Sequence, residues 1–234
     1  MRLGLYGGAF NPIHRCHLLV AETAKTRLGL DAVLFIPTGD PPHKPQADFI
    51  PATHRLEMVR LAIQPSPYFQ VSDIETRRPA KSYTIDTVHE LRTIHRTDTR
   101  FIFIIGLDAF KEIANWKEPE HLLELCEFAV VARPGSLFNQ LKNIQILGIE
   151  DPGQLDRLDA GQVEAEEVRL KNGQPLWGLP IPPCHVSAQD IRNRLKHRQS
   201  LENLLPAGVE SYILKHYIWG EGHRNSSRIA GESS

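Results

Sequence analysis

Leu3-Gly-Leu-Tyr-Gly-Gly-Ala-Phe-Asn-Pro-Ile-His-Arg-Cys-His17, near the N-terminus, reads as a strand, a turn and the start of a helix. Residues 3–6 form a short apolar run of the kind that makes a strand. Gly7 and Gly8 interrupt it, Asn11-Pro12 signals a turn, and His14 and His17 stand three apart where a helix over about 15–28 is expected. Strand, glycine-rich turn and helix in this order point backbone N–H groups and the positive helix end at an anion. Gly7 and Gly8 allow the backbone to approach a ligand where a side chain would collide. His14 and His17 project from one helical face, and their N–H groups are suited to phosphate oxygens and to charge developing on a leaving group. Two rival readings are weaker. A His-x-x-His zinc pair lacks a third ligand nearby, and the metalloprotease form is His-Glu-x-x-His. Ordinary surface histidines are common in a chain with 11 of them, yet these two follow a glycine turn. No Gly-x-Gly-x-x-Gly dinucleotide motif is present.

Outward from this stretch, apolar runs recur at 32–36, 69–72, 101–105 and 127–131. Helix-like stretches alternate with them near 15–28, 53–63, 84–95 and 119–125, the second with apolar residues at 56, 59, 62 and 63. Strands that alternate with helices imply crossovers and a parallel sheet. The expected fold is therefore α/β, a Rossmann-like doubly wound parallel sheet with helices on both faces and a C-terminal helical portion. Loops 7–14, 37–52, 73–83, 106–118 and 132–136 all leave strand ends, so they should share the rim where such sheets bind ligands. Ser187 is a plausible N-cap of a helix, and a last helix is expected around 206–218.

Composition narrows the class. The 234 residues carry a formal net charge of -1, which argues against a nucleic-acid-coating protein. No stretch approaches the length and apolarity of a membrane span, and the N-terminus does not read as a signal peptide. Cys16, Cys126 and Cys184 are odd in number, widely spaced and form no Cys-x-x-Cys pair. A disulfide framework or cysteine zinc site is not expected, and a cytoplasmic location is. Cys16, in the first helical turn beside two imidazoles, is expected to be a thiol of lowered pKa at the edge of the anion site. Residues 150–171 hold seven acidic and three basic residues and read as an exposed insertion or loop. Residues 1–218 are expected to form one domain, and 219–234 a disordered polar tail.

Gly7-Gly8-Ala9-Phe10-Asn11-Pro12-Ile-His14-Arg-Cys-His17 resembles the nucleotidyltransferase superfamily signature, G-G-x-F-[DN]-P-x-H-x-G-H. Ser187-Ala-Gln-Asp-Ile-Arg192 resembles its partner motif, I-S-x-T-x-I-R. Pro41-Pro-His-Lys44, Ser82-Tyr83-Thr84, Ile105-Gly106-Leu-Asp108, Trp116 and Arg133-Pro-Gly135 are similar, in order and spacing, to the bacterial nicotinate-nucleotide adenylyltransferases. The resemblance covers nearly the whole chain to about residue 218. It implies transfer of the adenylyl group of ATP to nicotinate mononucleotide, giving deamido-NAD and pyrophosphate.

The resemblance also implies roles. Gly7, Gly8, Ala9, Phe10 and Asn11 would wrap ATP, whose phosphates meet His14, His17, Lys44, Ser187 and Arg192. Of these, His14, His17, Lys44 and Arg192 are the catalytic candidates, with His17 the leading transition-state donor. Gly106 and Asp108 would face the nucleotide, Asp108 accepting from ribose or capping the next helix. Tyr83, Thr84, Trp116, Arg133 and Lys44 would receive the pyridine substrate, with Trp116 stacked on its ring. Mg²⁺ would arrive on the ATP phosphates, with no protein metal ligands of its own. ATP and nicotinate mononucleotide are the expected partners, without nucleic acid or membrane; a homo-oligomer is left open. Two positions depart from the pattern: Cys16 stands where Gly is usual, and Gln189 where Thr or Ser is usual. A pantetheine-phosphate adenylyltransferase, a nicotinamide mononucleotide enzyme and a non-catalytic nucleotide sensor are the rival readings.

Overall fold

In the computed structural model, which describes residues 1–40 and 49–219, seven strands form one sheet in the order β3-β2-β1-β4-β5-β7-β6. The strands are β1 (Arg2–Gly8), β2 (Ala32–Pro37), β3 (Phe69–Val71), β4 (Arg100–Gly106), β5 (Glu127–Ala132), β6 (Glu166–Arg169) and β7 (Pro175–Pro180). All neighbours run parallel except β6, which pairs antiparallel with β7 at one edge. The helices are α1 (Arg15–Leu28), α2 (Ala52–Ile63), α3 (Thr84–Ile94), α4 (Leu107–Phe110), α5 (Pro119–Leu125), α6 (Gly153–Asp159), α7 (Ala188–Lys196) and α8 (Ala207–Lys215). The doubly wound α/β expectation holds, and the first five strands and four of the helices fall within two residues of their expected limits.

The central strands are apolar on both faces because both faces are covered. On β4, Phe101, Phe103 and Ile105 enter one core with Val88 of α3 and Leu122 of α5, while Ile102 and Ile104 enter the other. The second core receives Val20 of α1, Met58 of α2, Ile191 of α7 and Val209 of α8. Alternation of period two along each strand thus divides the side chains between two helical layers. Helix α1 stops at Gly29, whose left-handed φ of 58° closes the turn through a bond from its N–H to the Lys25 carbonyl.

Two expectations are corrected. Residues 150–171 are not an exposed loop: they contain α6 and β6, and Leu155, Leu158, Val168 and Leu170 are buried in the first core. Acidic residues dominate its composition because one face of each element points to water; the four buried aliphatics are too few to register against them. Trp219, expected in the tail, packs half-buried against the second core. The rest of the tail, 220–234, lies outside the described residues, as do 41–48.

The buried role of the acidic segment has a direct test. Leu155→Ala should destabilise the protein by about 2–5 kcal/mol in urea unfolding, the scale of a truncated core leucine. A loss below about 0.5 kcal/mol, as for a surface substitution, would return the segment to the surface.

Candidate active site

A cleft of about 1060 Å³ opens at the carboxyl ends of the strands. It lies where the strand order turns on β1, whose neighbours are β2 and β4, the place at which open α/β sheets bind ligands. Gly7, Gly8 and Ala9 leave β1 into its floor, and Gly106 leaves β4 beside them. A Cβ on Gly7 would sit 3.0 Å from the Phe103 ring, and one on Gly8 3.0 Å from the Phe10 ring. The protein's own aromatics thus pack tightly against both glycines, and a side chain at either would have to displace a ring by a few tenths of an ångström. Phe10 itself holds a left-handed backbone, φ 45°, kept by burial edge-on against Tyr6 and His17. Asn11 is buried, and its side-chain oxygen accepts from the Ile50 N–H at 3.4 Å.

His14 is the N-cap of α1 and His17 its third residue, so the rings come together, with centroids 3.8 Å apart and planes 29° from parallel. The His14 N–H donates to His17 Nδ1 at 3.2 Å. That nitrogen is thereby the acceptor, which leaves the proton of a neutral His17 on Nε2. His14 is 2% exposed, and its Nδ1 has no protein partner. A buried ring nitrogen at a cleft without a close protein partner is open to water or to a ligand. Burial, then the nearby Arg133 charge, lowers the His14 pKa to about 4. Burial, then His14, then Arg133 pushes His17 well below the ordinary 6.5. Both imidazoles are therefore neutral donors at pH 7 until an anion arrives.

Arg133 follows β5 and lines the same cleft, close enough for its charge to act on both histidines. Ser187 caps α7, accepting from the Asp190 N–H at 3.0 Å. Arg192 donates to the Asn11 carbonyl at 2.9 Å and also to Gln189 Oε1. Gln189, the unusual residue in this motif, thus acts as a brace for the arginine. Its amide nitrogen donates to Asn193 at 3.1 Å. Further along, Tyr83, Thr84 and Trp116 line the cleft with Gly106 and Asp108. Trp116 is half-buried, edge-on to Phe103 at 6.4 Å, with Asn115 and Lys117 exposed on either side. Asp108 is exposed and pairs with Lys111 at 3.3 Å. The alternative in which Asp108 caps the next helix is corrected: Gly106 is the N-cap of α4. The structure thus gathers every residue expected to bind substrate or act in catalysis except Lys44, which lies outside the described residues.

Two contributors were not legible as such. Arg55 lies on the apolar face of α2, is 2% exposed, and donates to the carbonyls of Ala9, Gly39 and Ile50 at 2.8, 3.1 and 3.2 Å. It joins the turn after β1 to both ends of the loop after β2. Glu75 is buried beside it, accepts from the Thr87 hydroxyl at 2.9 Å, and has its pKa raised by burial. In sequence each is one charged residue on a helix or loop, indistinguishable from a solvated one.

Cys16 is the clearest departure from expectation. It is not a free thiol at the cleft edge: it is 5% exposed, does not line the cleft, and is disulfide-bonded to Cys184 across 168 residues of sequence. The pairing was hidden because only the return of the chain from β7 to α7 brings residue 184 beside α1. Cys126 is the free, buried cysteine.

Residues 5–194 match the family described as "Cytidylyltransferase-like", and the chain belongs to this nucleotide-transferring class. Over 95% of its length it is 39% identical to the whole of a Geotalea daltonii protein named "Probable nicotinate-nucleotide adenylyltransferase". A Thermoanaerobacter protein of the same name is 35% identical over 96% of this chain and 97% of its own. Within the class, the chain is thus a member of the nicotinate-nucleotide adenylyltransferase family. The fold is also that of the Plasmodium falciparum nicotinic acid mononucleotide adenylyltransferase solved with NaAD. That structure shares 18% identity, covers 93% of this chain and 97% of its own, and superposes with a TM-score of 0.67.

The depressed histidines make acid stability diagnostic. Below the ordinary value of 6.5 the unfolded chain binds protons that folded His14 refuses until about pH 4. Stability from this source is complete above pH 6.5 and declines through that window, by at most about 3 kcal/mol for His14. Urea midpoints should fall from pH 7 towards pH 4, less steeply in His14→Gln. An identical slope in the variant would show that His14 titrates as a free imidazole.

Proposed function

We propose that the cleft transfers the adenylyl group of ATP to nicotinate mononucleotide, giving deamido-NAD and pyrophosphate in NAD biosynthesis. The observation that carries this is the pair of stacked, neutral imidazoles at the end of β1, facing Arg133 and the α7 start with Ser187 and Arg192. The fifteen-residue opening, the Ser187 motif and the relatives' names agree with it.

The acceptor is a phosphate monoester with a second pKa of about 6, so it is an anion at neutral pH and needs no general base. Its oxygen attacks the α-phosphorus of ATP in line. One P–O bond forms, the bond to the β-phosphate's bridging oxygen breaks, and pyrophosphate leaves with the electron pair. The protein's task is to bring two anions together and to receive the charge that moves onto the leaving group. Gly7 to Asn11 supply backbone beside the triphosphate. His14 and His17 donate ring N–H to its oxygens, His17 through Nε2 to the developing charge. Ser187 and Arg192 hold the outer phosphates, a task that the motif resemblance also gives to Lys44, which lies outside the described residues. Asp108 and Gly106 face the nucleoside. Trp116 stacks on the pyridinium, Tyr83 and Thr84 offer backbone to its carboxylate, and Arg133 neutralises the approaching monoester. The cleft's charged donors are nitrogen groups, which suit phosphate oxygens. Mg²⁺ would accordingly sit on the phosphates and water, where it offsets their charge. One domain over 1–218 and a cytoplasmic location complete the reading; among the described residues, no helix is long and apolar enough to cross a membrane.

The reading is tested by pyrophosphate release with ATP and, in turn, nicotinate mononucleotide, nicotinamide mononucleotide and phosphopantetheine. The first should give the highest kcat/KM; preference for either other acceptor would replace the assignment. His17→Ala should lower kcat by about 10²-fold or more with unchanged circular dichroism. Near-normal turnover would remove its role. Trp116→Ala should raise KM for the pyridine nucleotide by roughly 2- to 30-fold, the worth of a cation–π stack, and leave KM for ATP alone. Equal weakening of both substrates with a lower Tm would make Trp116 a core residue.

A further inference from the structure

Cys16 and Cys184 join the two halves of the phosphate-facing wall. Cys16 lies between His14 and His17 in the first turn of α1, and Cys184 lies three residues before Ser187, the cap of α7. Their Cα atoms are 5.7 Å apart, within the usual span of a disulfide. The segment between β7 and α7 runs Ile181-Pro-Pro-Cys-His-Val-Ser187. Ile181 is anchored by its N–H to the Ala132 carbonyl at 3.1 Å. Pro182 and Pro183 have no N–H with which to tie the next stretch down. The wall that carries Ser187 is thus positioned from one end by the sheet, from the other by Arg192 on the Asn11 carbonyl, and between them by the sulfur bridge.

We propose that Cys16 and Cys184 form a thiol–disulfide exchange site, open to low-molecular-weight thiols and disulfides, whose state sets the affinity of the adjoining phosphate site for ATP. The inference rests on reading the cleft as the ATP site. Cys184 is half-exposed and Cys16 is buried, so the outer sulfur is the one a small reagent meets. On reduction, a thiolate RS⁻ attacks Cys184 Sγ; the protein S–S bond breaks, a mixed disulfide forms on Cys184, and Cys16 leaves as a thiolate. That departure is eased at the first turn of a 14-residue helix, where the dipole favours negative charge. A second RS⁻ attacks the reagent's sulfur, giving RS–SR and the Cys184 thiolate. The two cysteines take up two protons, two electrons having passed from the thiols to the protein. The reverse sequence consumes RS–SR and restores the bond. In a cytoplasmic setting, disulfides are transient or sensing more often than permanent staples. Release of the bridge frees the segment before Ser187, and with it the α7 end of the triphosphate site.

The full chain is equilibrated with oxidised or reduced glutathione, excess reagent is removed, and free thiols are trapped by alkylation and located by mass spectrometry. Buried Cys126, its thiol pushed up to about 12, serves as the unreactive internal control. The oxidised protein should contain the Cys16–Cys184 cross-link. By calorimetry it should bind ATP about fivefold or more tightly than the reduced protein, the low end of coupling between linked sites. KM for nicotinate mononucleotide should be the same in both states. Cys184→Ser and Cys16→Gly should both show the reduced protein's ATP affinity at either poise. Equal ATP affinity in the two states, a redox response that survives in either variant, or absence of the cross-linked peptide would overturn the proposal. ATP binding is measured without the second substrate, so loss of pyrophosphate release with nicotinate mononucleotide, ATP binding intact, would instead count against the assigned reaction.

Discussion

Burial of β1 on both faces is the constraint from which the site follows. Leu3 and Leu5 enter one core and Tyr6 the other, so helices must cover the strand above and below. A strand in that position finds its neighbours only through crossover connections, which make them parallel and carry every carboxyl end to one rim. With β2 on one side of β1 and β4 on the other, the chain leaving β1 at Gly8 emerges into the gap where the two crossovers diverge. The glycine turn, the histidines and Gly106 meet there because of where the apolar strands lie, before any contact among themselves is counted.

Electrostatics then gives that gap its preference. Two imidazoles lose their charge through burial and through the field of Arg133. His14 keeps a ring nitrogen that no protein group satisfies. The cleft is consequently a poor place for another cation and a good one for an anion, which offsets the charge of Arg133. Proton affinity at the histidines should rise as negative charge accumulates beside them, which favours the imidazolium form.

The rim is also cross-braced. Arg55 draws the carbonyls of Ala9, Gly39 and Ile50 onto one guanidinium, Arg192 reaches Asn11, and the sulfur bridge ties α1 to the approach to α7. Long loops on such a rim would otherwise be independent. Here the turn after β1 receives a brace from α2 and another from α7, so the cleft is assembled from both ends of the chain. Gln189 belongs to this system as a support for Arg192, which explains how the motif tolerates it.

The alternation of strands and helices, the rim, and the glycine turn after β1 could be read along the chain, because period-two and helical apolar patterns, glycines and caps act over a few residues. His14, His17, Tyr83, Trp116, Arg133, Ser187 and Arg192 were legible through spacing and motif, and the fold gathers them into one cleft. The acidic composition of 150–171 misled, since four buried aliphatics decide where that segment packs, most of its seven acids lie outside, and Asp159 accepts from the backbone N–H groups of Phe138 and Asn139. Tertiary structure alone decided the ionisation of the histidines, the burial of Arg55 and Glu75, and the union of Cys16 with Cys184. Each depends on what stands nearby in space: a desolvating neighbour, three converging carbonyls, or a sulfur brought back from 168 residues away. Such proximity is set by how the layers pack, and no local pattern along the chain encodes it.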